Sequence, residues 1–400
     1  MESECPIGAE LRREISALLE PPPPAQVEHY LNQLIQTRQC HAITVKHNGH
    51  LGKGVYAVSD LEGDELVLKD QMLVGHQHSS NKIECLVCSF CFRFVGSVEQ
   101  QIGRRLYLQE LGVSSNCCPQ SDEEEEEELG QCGSSSSAYK DKVPPKGLAE
   151  ALMNGELKLP YSDKFLMPQA VPCPGGCGEA YYCSKLCAES DWNSSHCLLC
   201  PGERSEAVSR EALKKLIQHA NETNDIFLLA AKAVASTILN YRKLKLTRSE
   251  GDNKPNVSGS PYLSLLLEAW KPISVGHKRR WWDCVALPID VKSSDEAAFR
   301  MQIRELAFTS LQLLKAAIYD EECKPIFSLE IYGHIIGMFE LNNLDLVVAS
   351  PVEDYFLYID DLPDPEKKEA EEITRPFLDA LGDDYSVCCQ GTAFYSLQSY

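Results

Sequence analysis

Eight metal-binding side chains, arranged in four spaced pairs, constrain this chain more than any other feature. They are Cys85 and Cys88, Cys173 and Cys177, Cys183 and Cys187, and His196 and Cys200. Zinc takes four nitrogen or sulfur donors in a tetrahedron, and a Cys-x₂₋₃-Cys turn offers two thiolates to one ion. Four pairs make two closed sites. A crosswise assembly is expected, with Cys85 and Cys88 joining Cys183 and Cys187, and Cys173 and Cys177 joining His196 and Cys200. Interleaving of this kind folds a module that has little apolar core of its own. Cys91 and Cys197 are spare donors close by.

The eighteen cysteines of the 400-residue chain also bear on compartment. The N-terminal stretch MESECPIGAELRREI has no continuous apolar region of signal-peptide type. Metal ligation in a reducing compartment therefore fits better than disulfides. No run of about 18 uncharged apolar residues occurs, so no membrane span is expected. The net charge of −21 argues against direct nucleic-acid binding, because phosphate contacts need clustered lysine and arginine. Seven of those charges lie in the run Asp122 to Glu128, and a second acidic stretch spans 353–384. Both read as solvated surface, with basic protein tails as the alternative partner class.

Along the chain, residues 1–40 form a helical extension. Leu11, Ile15, Leu18 and Leu19 share one face, Pro21–Pro24 breaks the run, and Val27, Tyr30, Leu31, Leu34 and Ile35 begin another. From residue 41 β-prone runs follow at 43–45, 54–58 and 65–68, expected to make a small antiparallel sheet. Residues 114–147 are low complexity and are expected to be disordered. They lie within the 84 residues between Cys88 and Cys173. A flexible loop of that length is tolerated because closure entropy grows only logarithmically. Residues 201–340 turn helical, with a buried helix from Ile226 and a capping box at Ser293 and Glu296. Gly333 and Gly337, four apart, suit close helix approach. Trp281 and Trp282 are expected to anchor their basic loop in the core.

Two further stretches suggest chemistry. Gly52-Lys53-Gly54 could cradle a cofactor, since glycine lets a backbone turn tightly and come close to a ligand; a plain β-turn is the other reading. The phrase Tyr181-Tyr182-Cys183-Ser184-x-x-Cys187-x-x-x-Asp191-Trp192-x-x-x-His196-x-x-x-Cys200 resembles the second half of a MYND zinc finger, a protein-interaction module. The segment around Gly52 resembles the opening of a SET domain, where a Gly-x-Gly turn binds the methionine part of S-adenosylmethionine. Lys69-Asp70-Gln71-Met72-Leu73 loosely matches the stretch that follows there. Asn342-Asn343-Leu344-Asp345-Leu346 is similar to a late SET strand whose asparagine contacts the cofactor, and Gly391 to Ser399 to the strand after it.

This order of parts resembles the SET–MYND lysine methyltransferases, the plant trithorax-related histone-lysine methyltransferases with SET and MYND domains among them. The resemblance implies an α+β fold: a SET-type β-sheet domain, incomplete here, with an inserted MYND zinc finger and a helical middle segment. The implied parts are the extension (1–40), the first SET part (41–84), the zinc finger split by the acidic insertion (85–200), the helical segment (201–340) and the start of the second SET part (341–400). It implies two zinc ions and S-adenosylmethionine, held at Gly52, Lys53, Gly54 and Asn342. It also implies a histone or other lysine-bearing substrate, a peptide partner at the finger, and a nuclear location. The family's Asn-His-Ser-Cys motif, catalytic tyrosine and post-SET zinc segment would follow the last residue given, and Tyr400 sits too early for the catalytic role. No catalytic residue is therefore assigned. The expectation from sequence is that these 400 residues bind the cofactor weakly and are catalytically incompetent, with Phe394 and Tyr395 left exposed. A zinc-dependent adaptor acting through the finger is the alternative.

Overall fold

The run from Ile226 to Ile238 is nearly all apolar and rich in alanine, and it builds the helix at the centre of the largest core. The computed structural model describes residues 11–49, 52–111, 147–250, 261–276 and 278–397; the acidic run 122–128 and the low-complexity stretch lie outside them. The helix Ile226–Glu250 is buried on every side through its first half, where Phe227, Ala230, Ala233, Val234, Ala235 and Ile238 are shut off from solvent. Small alanines let neighbours approach closely: helices Pro261–Ser274 and Leu329–Asn342 and strand β3 (Met72–Gln77) all pack against it. Helix Ala207–Glu222 lies along helix Glu296–Ile318 as a second layer. The first N-terminal helix, Arg12–Leu19, docks on this body through Ile15 and Leu18, and Trp270 Nε1 donates to the Leu18 carbonyl at 2.8 Å.

The glycine pair at 333 and 337 does allow a close approach, though to a loop segment rather than another long helix. A methyl group at Gly337 would run into the Arg279 carbonyl oxygen, and one at Gly333 into the Trp282 ring. The basic segment thus lies flat across helix Leu329–Asn342. Trp281 is 2% exposed and its indole N–H donates to Glu340 Oε2 at 3.1 Å, so the tryptophans are anchors. Helix Glu296–Ile318 starts later than the expected capping box. Its N-cap is Asp295, with no side-chain cap, and Ser293 lies outside. A serine cap is found instead at Ser328, whose Oγ accepts from Ile331 N.

The strands form three small antiparallel sheets. Strands β1 (Ile43–Asn48) and β2 (Gly52–Ala57) make a hairpin with Val45 opposite Val55. The expected third strand at 65–68 is absent. Leu66 is 69% exposed there, while Val67 and Leu68 pack on helix Pro24–Thr37, and the chain is tied by Lys69 N donating to Cys40 Sγ. The neighbouring strand is β3, and it belongs to another sheet, ordered β3-β7-β6, with β6 at Leu344–Val348 and β7 at Cys389–Tyr395. The expectation that Phe394 would be exposed is corrected. β7 is the central strand, and Phe394 is buried against Phe339 with ring centroids 5.4 Å apart. Strands β4 (Val171–Pro172) and β5 (Tyr181–Tyr182) form the third pair.

A second apolar core crosses the boundaries drawn from sequence at 85–200 and 341–400. Helices Val98–Glu110 and Leu148–Met153 meet helices Pro351–Asp360 and Glu366–Leu381 there, around Ile102, Leu152, Val352 and Phe377. Tyr355 donates to the Pro160 carbonyl at 3.0 Å, and Phe165 stacks edge-on against Tyr355 and Tyr358. Arg105 ties this core to the sheet, with Nε donating to Glu84 O at 2.7 Å and Nη2 to Val387 O at 3.1 Å.

Alanine normally stabilises a helix over glycine by about 1 kcal/mol. At Gly337 the clash with Arg279 reverses that sign, because overpacking costs about 1–3 kcal/mol. Gly337→Ala is therefore expected to lower the urea midpoint. Gly63→Ala, where a methyl group meets nothing within 4 Å, should leave it unchanged. A Gly337→Ala midpoint at or above that of the parent chain would contradict the close approach.

Candidate metal centres

Among the described residues, two groups of four donor atoms converge in space: Cys88, Cys91, Cys183 and Cys187 in one, Cys173, Cys177, His196 and Cys200 in the other. Within each, the donor atoms all lie within 4.8 Å of one another. A tetrahedron with metal–sulfur bonds of about 2.3 Å has edges of roughly 3.8 Å. In the first group Cys91 Sγ is 3.6 Å from Cys183 Sγ, Cys183 Sγ is 3.4 Å from Cys187 Sγ, and Cys187 Sγ is 3.9 Å from Cys91 Sγ. In the second, Cys173 Sγ is 3.7 Å from Cys200 Sγ and 3.2 Å from His196 Nε2, which is 3.8 Å from Cys177 Sγ. These edges suit one small tetrahedral ion per group, and a thiolate-rich donor set of this geometry can hold zinc.

The first group is built by two turns. Val87 and Phe94 pair as an isolated bridge, Cys88 N donates to Arg93 O at 2.8 Å, and Phe92 N donates back to Cys88 O at 2.8 Å. Phe92 takes a positive φ of 61°, which closes the knuckle and sets Cys88 and Cys91 on one side. From the other direction β5 delivers Cys183, and Ser184 caps helix Lys185–Asp191 by accepting from Cys187 N at 3.1 Å. The cap fixes Cys187 in the first turn, next to Cys183. Ser89 N donates to Tyr181 O at 2.8 Å and joins the two turns. The hydrogen bond between the two thiols pulls Cys88 down to about 5, while the same bond and burial push Cys91 upward. Four thiols this close cannot all ionise without a cation, and a divalent metal supplies that charge.

Cys85 does not join this group, which corrects the register of the first pair. It sits at the end of the short helix Asn81–Glu84, 1% exposed, with its thiol facing Val387 O and the Arg105 guanidinium. Burial pushes it up to about 11, so it is a neutral core thiol. Cys91 takes its expected place.

The second group rests on glycine geometry. Gly176 has φ of +72°, its N–H donates to Cys173 O at 3.0 Å, and Gly175 N donates to Cys173 Sγ at 3.2 Å. A methyl group at Gly175 would sit 2.5 Å from Cys200 Sγ, and one at Gly202 would strike the Gly175 carbonyl. His196 ends the π-turn Trp192–His196, and Cys200 follows the single turn Cys197–Leu199. Trp192 covers His196 edge-on with ring centroids 6.1 Å apart. Beneath both groups, buried Tyr182 donates to Asp191 Oδ2 at 2.8 Å. Cys197 stays outside, half-buried.

The residues expected to hold S-adenosylmethionine lie on other elements. Gly52 opens β2 with φ of +76° and nothing within 4 Å of where a side chain would start, so its backbone can be approached. Gly54 faces the Tyr56 ring. Lys53 Nζ donates to Val275 O at 2.7 Å beside Lys278; burial pushes Lys53 down to about 8, and burial with the Lys53 charge pushes Lys278 down to about 7. Two such ammonium groups at an accessible glycine suit a ligand with a carboxylate. Asn342 is the last residue of helix Leu329–Asn342, and its amide donates to Met338 O at 2.7 Å. The segment through Lys278–Trp282 lies between that helix and the Lys53 contact.

No protein-family model matches the chain, and no solved structure matches it. Histone-lysine N-methyltransferase ATXR2 of Arabidopsis thaliana is 63% identical over 395 residues, covering 96% of this chain and 82% of the relative.

The two donor groups predict two zinc ions per chain by plasma mass spectrometry. Cys91→Ser should lower the content to one, because three thiolates hold the ion far less tightly. Cys85→Ser should leave both ions bound. Loss of an ion from Cys85→Ser with both retained by Cys91→Ser would reverse the assignment.

Proposed function

The chain belongs to the histone-lysine methyltransferases of SET and MYND type, and on that footing we propose that it methylates lysine side chains of histones or other proteins with S-adenosylmethionine. The observation that carries the reading is 63% identity to a histone-lysine N-methyltransferase across 96% of the chain. The sheet β3-β7-β6 supports a SET-type domain split into parts at 41–84 and 341–400, because it hydrogen-bonds strands from both. The two donor groups support a MYND-type finger at 85–200 inserted between those parts, holding two zinc ions. Residues 201–340 supply the helical middle segment, and 1–40 dock on it.

Methyl transfer from a sulfonium needs an uncharged amine aligned with the methyl carbon in a water-poor channel. The cofactor supplies the activated methyl group. This chain's own contribution is positioning: the open backbone at Gly52 admits the cofactor, and Lys53 with Lys278 holds its carboxylate. An arriving carboxylate favours the charged form of both lysines, so binding takes up protons. Because their pKa values are depressed to about 8 and about 7, affinity falls as pH rises through that range. A histone substrate places the protein in the nucleus, and no helix among the described residues is long and apolar enough to cross a membrane. The adaptor reading rests on the resemblance of the zinc module to an interaction finger, on whose surface Leu186 stands 72% exposed.

On this reading, transfer of radiolabelled methyl from S-adenosylmethionine to lysines of core histones by the zinc-loaded protein is the expected outcome, against the incompetence expected from sequence for these 400 residues. Lys53→Met should weaken cofactor binding at least tenfold by calorimetry. A folded protein with both zinc ions that transfers no label, yet captures peptides through its finger, would replace methylation with the adaptor function.

A further inference from the structure

A partly enclosed cavity of about 150 Å³ lies where the second metal group, strand β3 and the helices Ala207–Glu222 and Ile226–Glu250 meet. Its lining mixes two chemistries. Leu213, Leu216, Ile217 and Leu228 are apolar, while His76, Lys82, Arg104 and Lys232 are polar or basic. Lys232 stands one helical turn from Leu228, so the two kinds of surface adjoin. His76 is only 7% exposed, and its Nε2 has no hydrogen-bond partner; the buried Nε of Arg104 has none either. Buried polar atoms are nearly always paired, so two orphans in one lining point to a missing acceptor.

The charge balance gives that acceptor its sign. Lys232 Nζ donates to Gly75 O at 2.6 Å, and the Lys82 and Lys232 charges both reach His76. Arg104, whose Nη2 donates to Lys82 O at 2.9 Å, adds a third cation to the lining. Burial and the nearby Lys82 and Lys232 charges keep the imidazole neutral, so it offers an N–H without adding charge. Two carboxylates share the lining. Asp191 already accepts from Tyr182, and Glu179 is exposed. Asp225, whose charge also reaches Lys82, is taken up by Ser79. A zinc-loaded Cys₃His group carries one net negative charge and borders the cavity through Cys177 and His196, so it and Asp191 offset two of the three cations, while water screens the exposed Glu179. One further negative charge balances the lining, whereas a dianion would exceed it. We propose that this cavity binds a small amphipathic monoanion, a medium-chain carboxylate, with its head at His76, Arg104 and the two lysines and its chain on the leucine wall. The bound molecule would bridge the metal module and the β3-β7-β6 sheet, independently of the methyltransferase reading.

Calorimetric titration of octanoate into the zinc-loaded full chain tests this, with octanol lacking the charge and acetate lacking the chain. Octanoate is expected to bind one to one, at least tenfold more tightly than either control. His76→Phe removes an atom that makes no bond in the free protein. It should keep the melting temperature and weaken octanoate at least tenfold, and Lys82→Met should weaken it likewise. No heat from octanoate, equal binding of octanol, or unchanged affinity in both variants would overturn the proposal.

Discussion

Convergence of eight soft donors from segments 88–91 and 173–200 is the constraint on which the rest of this molecule depends. The apolar core around those donors is small: Val95, Ala180, Tyr182 and Ala188 with the cysteines themselves. Such a cluster cannot offset the ordering entropy of the turns that carry it. Metal coordination can, since structural zinc contributes about 10–16 kcal/mol of apparent binding free energy in small zinc domains. The crosswise pairing matters as much as the number. The first group joins the turn at 88–91 to Cys183 and Cys187 and so closes only when both segments have met, whereas the second closes within 173–200 around it. Helix Val98–Glu110 and helix Leu148–Met153, which lie between the halves in sequence, are thereby held beside helices Pro351–Asp360 and Glu366–Leu381 and can build the second core.

Much of that site was legible in the sequence, because ligand spacing is a local property. Short Cys-x₂₋₃-Cys turns and the Tyr-Cys-Ser…His…Cys phrase fix which side chains can share an ion. The second group formed with the residues expected. The first went wrong in register, and the cause is physical. Cys85, Cys88 and Cys91 form two overlapping Cys-x-x-Cys pairs, and spacing alone cannot choose between them. The choice is made by the hairpin that pairs Val87 with Phe94 and by the positive φ at Phe92. An apolar Phe-x-Phe after Cys91 was the available signal, since it places two rings under the knuckle where Phe92 and Phe94 are buried.

Strand and cap expectations were less secure, because they depend on distant parts of the chain. Residues 65–68 have the composition of a strand but no edge to pair with, so Val67 and Leu68 bury individually and Leu66 points to solvent. β7 shows the converse. Its place between β3 and β6 comes from a pairing more than 300 residues long in sequence, Val74 with Phe394. No local pattern contains that information. Propensity likewise named Ser293 as a cap, whereas the helix starts at Glu296, where Arg300 bonds both Glu296 and the Trp282 carbonyl.

Strand β3 is where these separate constraints meet. It hydrogen-bonds to β7 along one edge, lies against helix Ile226–Glu250, and ends beside the first metal turn. Ser79, just past its end, gives both its backbone N–H and its hydroxyl to Asp225, at 2.8 and 2.7 Å. Asp225 directly precedes helix Ile226–Glu250, where its charge also favours the positive end of the helix dipole. Gln77 Nε2 donates at 3.1 Å to Asn81 O and at 3.0 Å to Cys85 O, so the chain leaving β3 is fixed as it turns toward the cysteines. A displacement of the first metal group is therefore carried into the sheet through a short, hydrogen-bonded connection. The neutral thiol at Cys85 belongs to that connection: as a buried anchor under Val387 and Arg105, it holds the turn still so that Cys88 and Cys91 can meet their partners.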